Sequence, residues 1–258
     1  MIIENLGAGA RCAETMRLLV EAEAKGGIAD SFKRIILLPI PTSKDKVHLS
    51  GTDKLVCEVF SDVGAGDFVA GYGVDRESKA QMRQRGAVVY DALEDEDFLL
   101  ENARQTALGA LGYILSGINT VPSDTVFAIV GYGRIGSALT RMLLFLGAKV
   151  KVYTGRSLTC LDLGECGIEA HLIDRESPVL KTDADIIINT APADLSASFS
   201  EGRVPPGVRV IELASGENFA GISGIERLPG IPDKYYGKSA GKAYFKSIID
   251  YIHEVTLQ

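Results

Sequence analysis

Val126-Phe127-Ala128-Ile129-Val130 runs directly into Gly131-Tyr132-Gly133-Arg134-Ile135-Gly136, and the reading of this stretch decides the fold. Five consecutive apolar residues predict a buried strand, and a helical pattern from Ser137 to Leu146, closed by Gly147, follows the third glycine. Lys149 to Tyr153 reads as a second strand. The stretch therefore opens a βαβ unit of about 30 residues, the context that gives a G-x-G-x-x-G its meaning. In that context Gly131 permits the tight turn, Gly133 lets backbone approach a pyrophosphate, and Gly136 lets helix and strand pack closely. The helix start adds N–H groups and a positive dipole end for the phosphates. Gly131, Tyr132, Gly133, Arg134, Ile135 and Gly136 are thus candidate dinucleotide contacts.

The end of the second strand selects the nucleotide. An NAD site places a carboxylate there, about 20 residues on, to bind the ribose 2′-hydroxyl. This chain reads Tyr153-Thr154-Gly155-Arg156-Ser157, without an acid. A 2′-phosphate would instead meet the guanidinium of Arg156 and hydroxyls of Thr154 and Ser157, so NADP is the expected cofactor. Later strands are expected at Ile168 to Leu172, Asp185 to Asn189 and Val208 to Glu212. Ligands lie outside the carboxyl ends of parallel strands, which adds Thr190, Ala191, Pro192 and Ala214 as cofactor contacts.

Upstream, Ala13 to Ala24 has helical spacing, and Ile35-Ile36-Leu37-Leu38 reads as a buried strand emptying into Pro39 and Pro41. Phe68-Val69-Ala70 and Val88-Val89-Tyr90 predict further strands, separated by a polar helix over Arg76 to Arg85. This alternation of strand and helix implies a parallel sheet. Asp97 to Leu115 forms a linker helix, and Ala240 to Val255 a last helix long enough to return to the first domain. The expected architecture is α/β, with two Rossmann-like doubly wound parallel-sheet domains. Residues 1–96, joined by 240–258, form an N-terminal substrate domain, and 97–239 a dinucleotide-binding domain.

Composition narrows the partners. The 258 residues are 46% hydrophobic and 24% charged, enough for a full core. The net charge of -7, with Lys and Arg scattered, disfavours nucleic acid. No secretory leader is visible, and no apolar run reaches the ~18 residues that span a bilayer, so a cytoplasmic protein is expected. Four cysteines without a C-x-x-C pair and three scattered histidines predict no metal site.

Several segments, in order, resemble the family of dipicolinate synthase A subunits. They are Leu37-Leu38-Pro39-Ile40-Pro41-Thr42-Ser43-Lys44-Asp45, Asn102 to Ala110, Val150 to Ser157, Ile188 to Pro192, Glu212 to Ser215, Leu228-Pro229-Gly230 and Ala240-Gly241. The resemblance implies an arrangement like that of D-2-hydroxyacid dehydrogenases, with the active site in a cleft between domains. It also implies oxidation of dihydrodipicolinate to dipicolinate with hydride passing to NADP+, and a flavoprotein-like second subunit. Where the family's linker helix carries Pro-Thr-x-Glu-Gly, this chain reads Gln105-Thr106-Ala107-Leu108-Gly109, so Leu108 stands in place of a carboxylate. The segment Ile231 to Gly237 is longer than in the family, and the first strand is reduced to Ile2-Ile3.

A dicarboxylate substrate calls for cationic or hydroxyl partners. Thr42 and Lys44, with Lys238 and Ser239 ahead of the last helix, are the expected substrate contacts. Lys44, Ser43 and Ser215 are the candidate catalytic residues, and His48 is the nearby histidine. Two other readings stay open. A 2-hydroxyacid dehydrogenase would require a Glu–His pair, yet no histidine lies between 215 and 240. A non-catalytic NADP-binding or partner-binding protein would follow from the loss at Leu108. A homodimer is expected by analogy of architecture.

Overall fold

The computed structural model describes residues 1–28, 31–174, 176, 179–199 and 201–257. The chain divides into two units, Met1–Asn102 with Pro232–Gln258, and Ala103–Ile231.

The first unit is a four-stranded parallel sheet in the order β1-β2-β3-β4 (Ile2–Asn5, Arg34–Leu37, Asp67–Gly71, Val88–Asp91). Its crossover helices are α1 (Gly9–Ala24), α2 (Val56–Ser61) and α3 (Arg76–Gln84). Side chains of a strand alternate between faces. Ile35, Leu37, Phe68 and Ala70 therefore pack with Leu19 of α1 and with Phe98, Tyr244, Ile248 and Ile252, while Ile36, Val69 and Val89 pack with Phe60 of α2 and Met82 of α3. The sheet is covered on both faces, as expected of a doubly wound fold. Because the strands follow in spatial order while α1 lies opposite α2 and α3, the first crossover has the opposite hand to the next two.

The division between units falls within α4 (Glu96–Ser116), the expected linker helix. The second unit holds β5 (Val126–Val130), α5 (Arg134–Phe145), β6 (Lys149–Thr154), α6 (Ser157–Glu165), β7 (Glu169–Leu172), β8 (Ile186–Asn189), β9 (Arg209–Glu212) and β10 (Ile225–Arg227). All pair in parallel, in the order β10-β9-β8-β5-β6-β7. Counted from β5 as the first, this is the dinucleotide-fold order 3-2-1-4-5-6 read across the sheet. Phe127 and Ile129 bury one face of β5 against Leu139 and Leu143 of α5, each such side chain contributing about 1.5–3 kcal/mol. Ala128 and Val130 bury the other against Leu195 and Phe219.

Three elements were not legible in the sequence. The six residues of α2 are too few for a periodic signal, α6 exposes Leu158 and Leu161, and the three residues of β10 lie at a sheet edge. Several boundaries also move: β1 extends to Asn5 rather than ending at Ile3, and α1 begins at Gly9 rather than Ala13. The helix after the glycine loop begins at Arg134, inside the loop, because Gly133 already takes the extended N-cap conformation. The last helix, α7 (Ile231–Thr256), begins at Ile231 rather than 240 and bends at Tyr236, so Lys238 and Ser239 lie within it. Pro232 is compatible with that early start, since the first turn has no N–H bond to lose.

Candidate dinucleotide-binding site

The carboxyl ends of β6, β5, β8 and β9 lie level, with Tyr153 beside Val130, Val130 beside Asn189, and Asn189 beside Glu212. Chain direction across the sheet reverses between β5 and β8, which makes their ends the switch point where ligands of such sheets bind. The glycine turn sits there. Gly131 has φ +91°, a left-handed conformation that favours glycine, and its N–H donates to Tyr153 O at 2.8 Å. A Cβ at Gly131 would lie 2.8 Å from Ala191 Cβ and 2.9 Å from Thr190 Oγ1. One at Gly136 would overlap the Gly131 carbonyl oxygen. Gly133 is exposed, and a Cβ there would meet nothing within 4 Å. Two glycines thus serve packing and one serves approach, the division of labour a diphosphate cradle requires. The first N–H groups of α5 open onto the same turn, Arg134 is exposed, and Tyr132 and Ile135 are partly buried.

Thr190 binds the turn from the neighbouring strand. Its hydroxyl lies 3.0 Å from the Val130 carbonyl and 3.2 Å from that of Gly131. Beside it, Asn189 and Glu212 form a buried pair that sequence reasoning missed. Asn189 Nδ2 donates to Glu212 Oε1 at 3.2 Å, the Ala214 N–H donates to the same oxygen at 2.8 Å, and Asn189 Oδ1 accepts from the Ala191 N–H at 3.1 Å. Burial pushes the Glu212 carboxyl above its ordinary range, partly opposed by the bonds from Asn189 and Ala214. The legible signal was two polar residues ending two apolar strands. Pro192 and Ser215 are exposed, and Ala191 and Ala214 partly so.

At the end of β6, Thr154 is buried and its Oγ1 accepts from the Arg156 N–H at 3.2 Å. Arg156 occupies the N-cap of α6 and Ser157 its first position, with Gly155 between Thr154 and the cap. The Arg156 guanidinium is exposed and has no partner among the described residues. The strand end thus offers a cation, a hydroxyl and a helix N-terminus, and no acid.

The first unit carries the other candidates at the carboxyl end of its own sheet. Thr42 is buried, its N–H donating to Tyr72 O and its Oγ1 accepting from the Tyr72 N–H, both at 2.9 Å. The following turn is built on Asp45, whose Oδ1 accepts from the N–H groups of Val47 and His48 at 2.8 Å. Those bonds, with that of the His48 ring, hold its carboxyl far below the usual range. His48 Nδ1 lies 2.9 Å from Asp45 Oδ2, which leaves Nε2 as the outward ring nitrogen. Ser43 Oγ accepts from the Lys46 N–H at 2.9 Å, and Lys44 is exposed without a partner among the described residues. Lys238 and Ser239 are exposed on α7, where Lys238 acts electrostatically on Glu14 of α1.

Several solved structures share this architecture. The A subunit of dipicolinate synthase from Bacillus halodurans is 23% identical, with a TM-score of 0.72 over 97% of this chain and 97% of that one. The A chain of dipicolinate synthase from Bacillus subtilis is 20% identical, with a TM-score of 0.75 over 99% and 96%. D-lactate dehydrogenase from Salmonella is 12% identical, with a TM-score of 0.59 over 98% and 96%. These likenesses establish the fold: two parallel-sheet α/β units. No protein-family model matches the chain, and no curated protein matches it.

Among the described residues no cluster of His, Cys, Asp and Glu could hold a metal ion, and no helix is long and apolar enough to cross a membrane. Cys12 is buried, which pushes its thiol up to about 11. Leu108, on α4, is 38% exposed.

Proposed function

We propose that this chain binds NADP(H) at Gly131–Gly136 and is an oxidoreductase acting on a small dicarboxylate, in the manner of the dipicolinate synthase A chains it resembles. The observation that carries the reading is the glycine turn at the switch point of a six-stranded sheet, with Arg156 unpaired among the described residues and no acid at the end of β6. Gly131, Gly133 and Gly136 with Tyr132, Arg134 and Ile135 hold the diphosphate. Thr154, Gly155, Arg156 and Ser157 hold the 2′-phosphate, and Thr190, Ala191, Pro192 and Ala214 border the nicotinamide ribose. When bound, NADP+ supplies the hydride acceptor. Lys44, Ser43, Lys238 and Ser239 are the proposed partners of the substrate carboxylates, with Thr42 fixing the loop, and Ser215 is kept as a catalytic candidate of the second unit. His48, oriented by Asp45, accepts the proton released as dihydrodipicolinate becomes dipicolinate.

A cytoplasmic site of action, a flavoprotein-like second subunit as partner, and a homo-oligomer belong to the same reading. Phe145, at the end of α5, is 91% exposed beside Leu144 and Leu146, an apolar group suited to a contact between protomers. Calorimetric titration with NADP+ and NAD+ tests the cofactor, and tighter NAD+ binding rejects it. A dihydrodipicolinate-generating mixture with the second subunit tests the reaction, and no absorbance gain at 340 nm rejects it.

A second reading, a non-catalytic NADP-binding protein, is favoured by Leu108, which can neither transfer a proton nor pair a cation. Leu108→Glu separates the two: activity gained on substitution supports loss of a catalytic carboxylate.

A further inference from the structure

Within the unit Met1–Asn102 with Pro232–Gln258, α1 starts at the carboxyl end of β1 and carries Arg11 in its first turn. Arg11 is only 6% exposed, and its Nε is enclosed without a hydrogen-bond partner. Asp233, the carboxylate with the largest electrostatic effect on it, bonds the main chain of Arg11 rather than the guanidinium. Its Oδ1 accepts from the main-chain N–H of Arg11 at 2.6 Å, and its Oδ2 lies against Gly9. No described carboxylate forms an ion pair with the guanidinium itself. Buried guanidinium groups ordinarily come with such a partner, because removing the charge from water is costly unless an anion compensates it.

The residue is also rigidly placed. Thr15 Oγ1 donates to the carbonyls of Arg11 at 2.9 Å and of Gly241 at 3.1 Å. Gly237 and Gly241 of α7 press against Ala10 and the Arg11 carbonyl, where a Cβ on Gly241 would lie 2.8 Å from that oxygen. Tyr72 and Tyr244 are among the groups acting on Arg11, and Tyr72 is tied through its N–H to Thr42. Arg11 therefore belongs to the same end of the sheet as the Thr42–Lys44 loop.

We infer that the Arg11 guanidinium is a carboxylate receptor, the cation that fixes one carboxylate of the substrate in this unit. The planar fork of an arginine matches a carboxylate in a bidentate pair. Asp233 of α7, bonded to the first turn of α1, adds a negative charge there that disfavours two charges on one group, as in phosphate, more than a single carboxylate. The identity of the substrate as a dicarboxylate rests on the proposed function; the receptor itself rests on Arg11.

Calorimetry on the full chain tests this with pyridine-2,6-dicarboxylate, pyridine-2-carboxylate and inorganic phosphate, with NADP+ titrated alongside. Arg11→Met should weaken carboxylate binding tenfold or more and Arg11→Lys less, with NADP+ affinity unchanged in both. If only the monocarboxylate binds, in an Arg11-dependent way, the receptor stands and the dicarboxylate reading fails. If NADP+ alone fails to bind, only the cofactor reading fails. Equal carboxylate affinity in Arg11→Met, no carboxylate binding by the wild type, or tighter binding of phosphate overturns the receptor. Should the variants not fold, the Nε–H resonance of Arg11 in the wild-type chain replaces them; a resonance unmoved by saturating carboxylate overturns it equally.

Discussion

The hydroxyl of Thr190 lies within hydrogen-bond reach of the carbonyl of Gly131, at 3.2 Å, and so holds the glycine turn after β5 from the loop after β8. The turn is shaped by a neighbouring strand as much as by its own glycines. Thr190→Val keeps the volume and removes the bond. The expected cost is about 1 kcal/mol of stability by denaturant unfolding, with a loss of NADP+ affinity of roughly tenfold by calorimetry.

Gly136 and Gly133 separate packing from approach. Gly136→Ala drives a Cβ into the Gly131 carbonyl, so it should destabilise by about 1–3 kcal/mol despite the better helix propensity of alanine. Gly133→Ala meets open space and should leave the melting temperature nearly unchanged while weakening NADP+ binding. Thermal melts and titrations of both variants check the contrast.

Arg156→Ala should cost NADP+ about 1.5–3 kcal/mol of binding free energy and leave NAD+ binding as it was, because only NADP+ carries the 2′-phosphate. Equal loss for both nucleotides would place Arg156 away from the 2′ position.

Asp67 accepts from Arg34 Nε at 3.1 Å and Nη2 at 2.8 Å and from the Gly64 N–H at 3.0 Å. The bond with Arg34 holds its carboxyl below the ordinary range. A depressed folded-state pKa stabilises above the unfolded value, about 3.9, and the gain is lost as pH falls through the folded one. Asp67→Asn should therefore destabilise by about 1–2 kcal/mol at pH 7. Urea unfolding at stepped pH should show the gap from the wild type closing below about pH 4.

The second unit was largely legible because its strands are near-continuous apolar runs, as in Val126–Val130 and Ile186–Asn189, which parallel sheets covered on both faces demand. The glycine turn was legible for the same reason, since strand, turn and helix follow one another without insertion. The Asn189–Glu212 pair was not, because nothing local marks two residues 23 apart as hydrogen-bonded; only the β8–β9 register brings them together. Arg11 escaped notice likewise. Its burial depends on Gly237 and Gly241, which arrive from the far end of the chain.

Tyr244, Ile248 and Ile252 complete the apolar cluster on one face of the first sheet, yet they are made after the whole of Ala103–Ile231. On a translating ribosome all four strands of that sheet emerge first and must wait for their covering helix, by roughly ten seconds at ordinary synthesis rates. The contiguous second unit is synthesised in that interval. Ile35, Leu37 and Phe68 meanwhile have only the early-made Leu19 and Phe98 side of their cluster, and the part that Tyr244, Ile248 and Ile252 cover stays open on the nascent chain, a surface that a chaperone would engage.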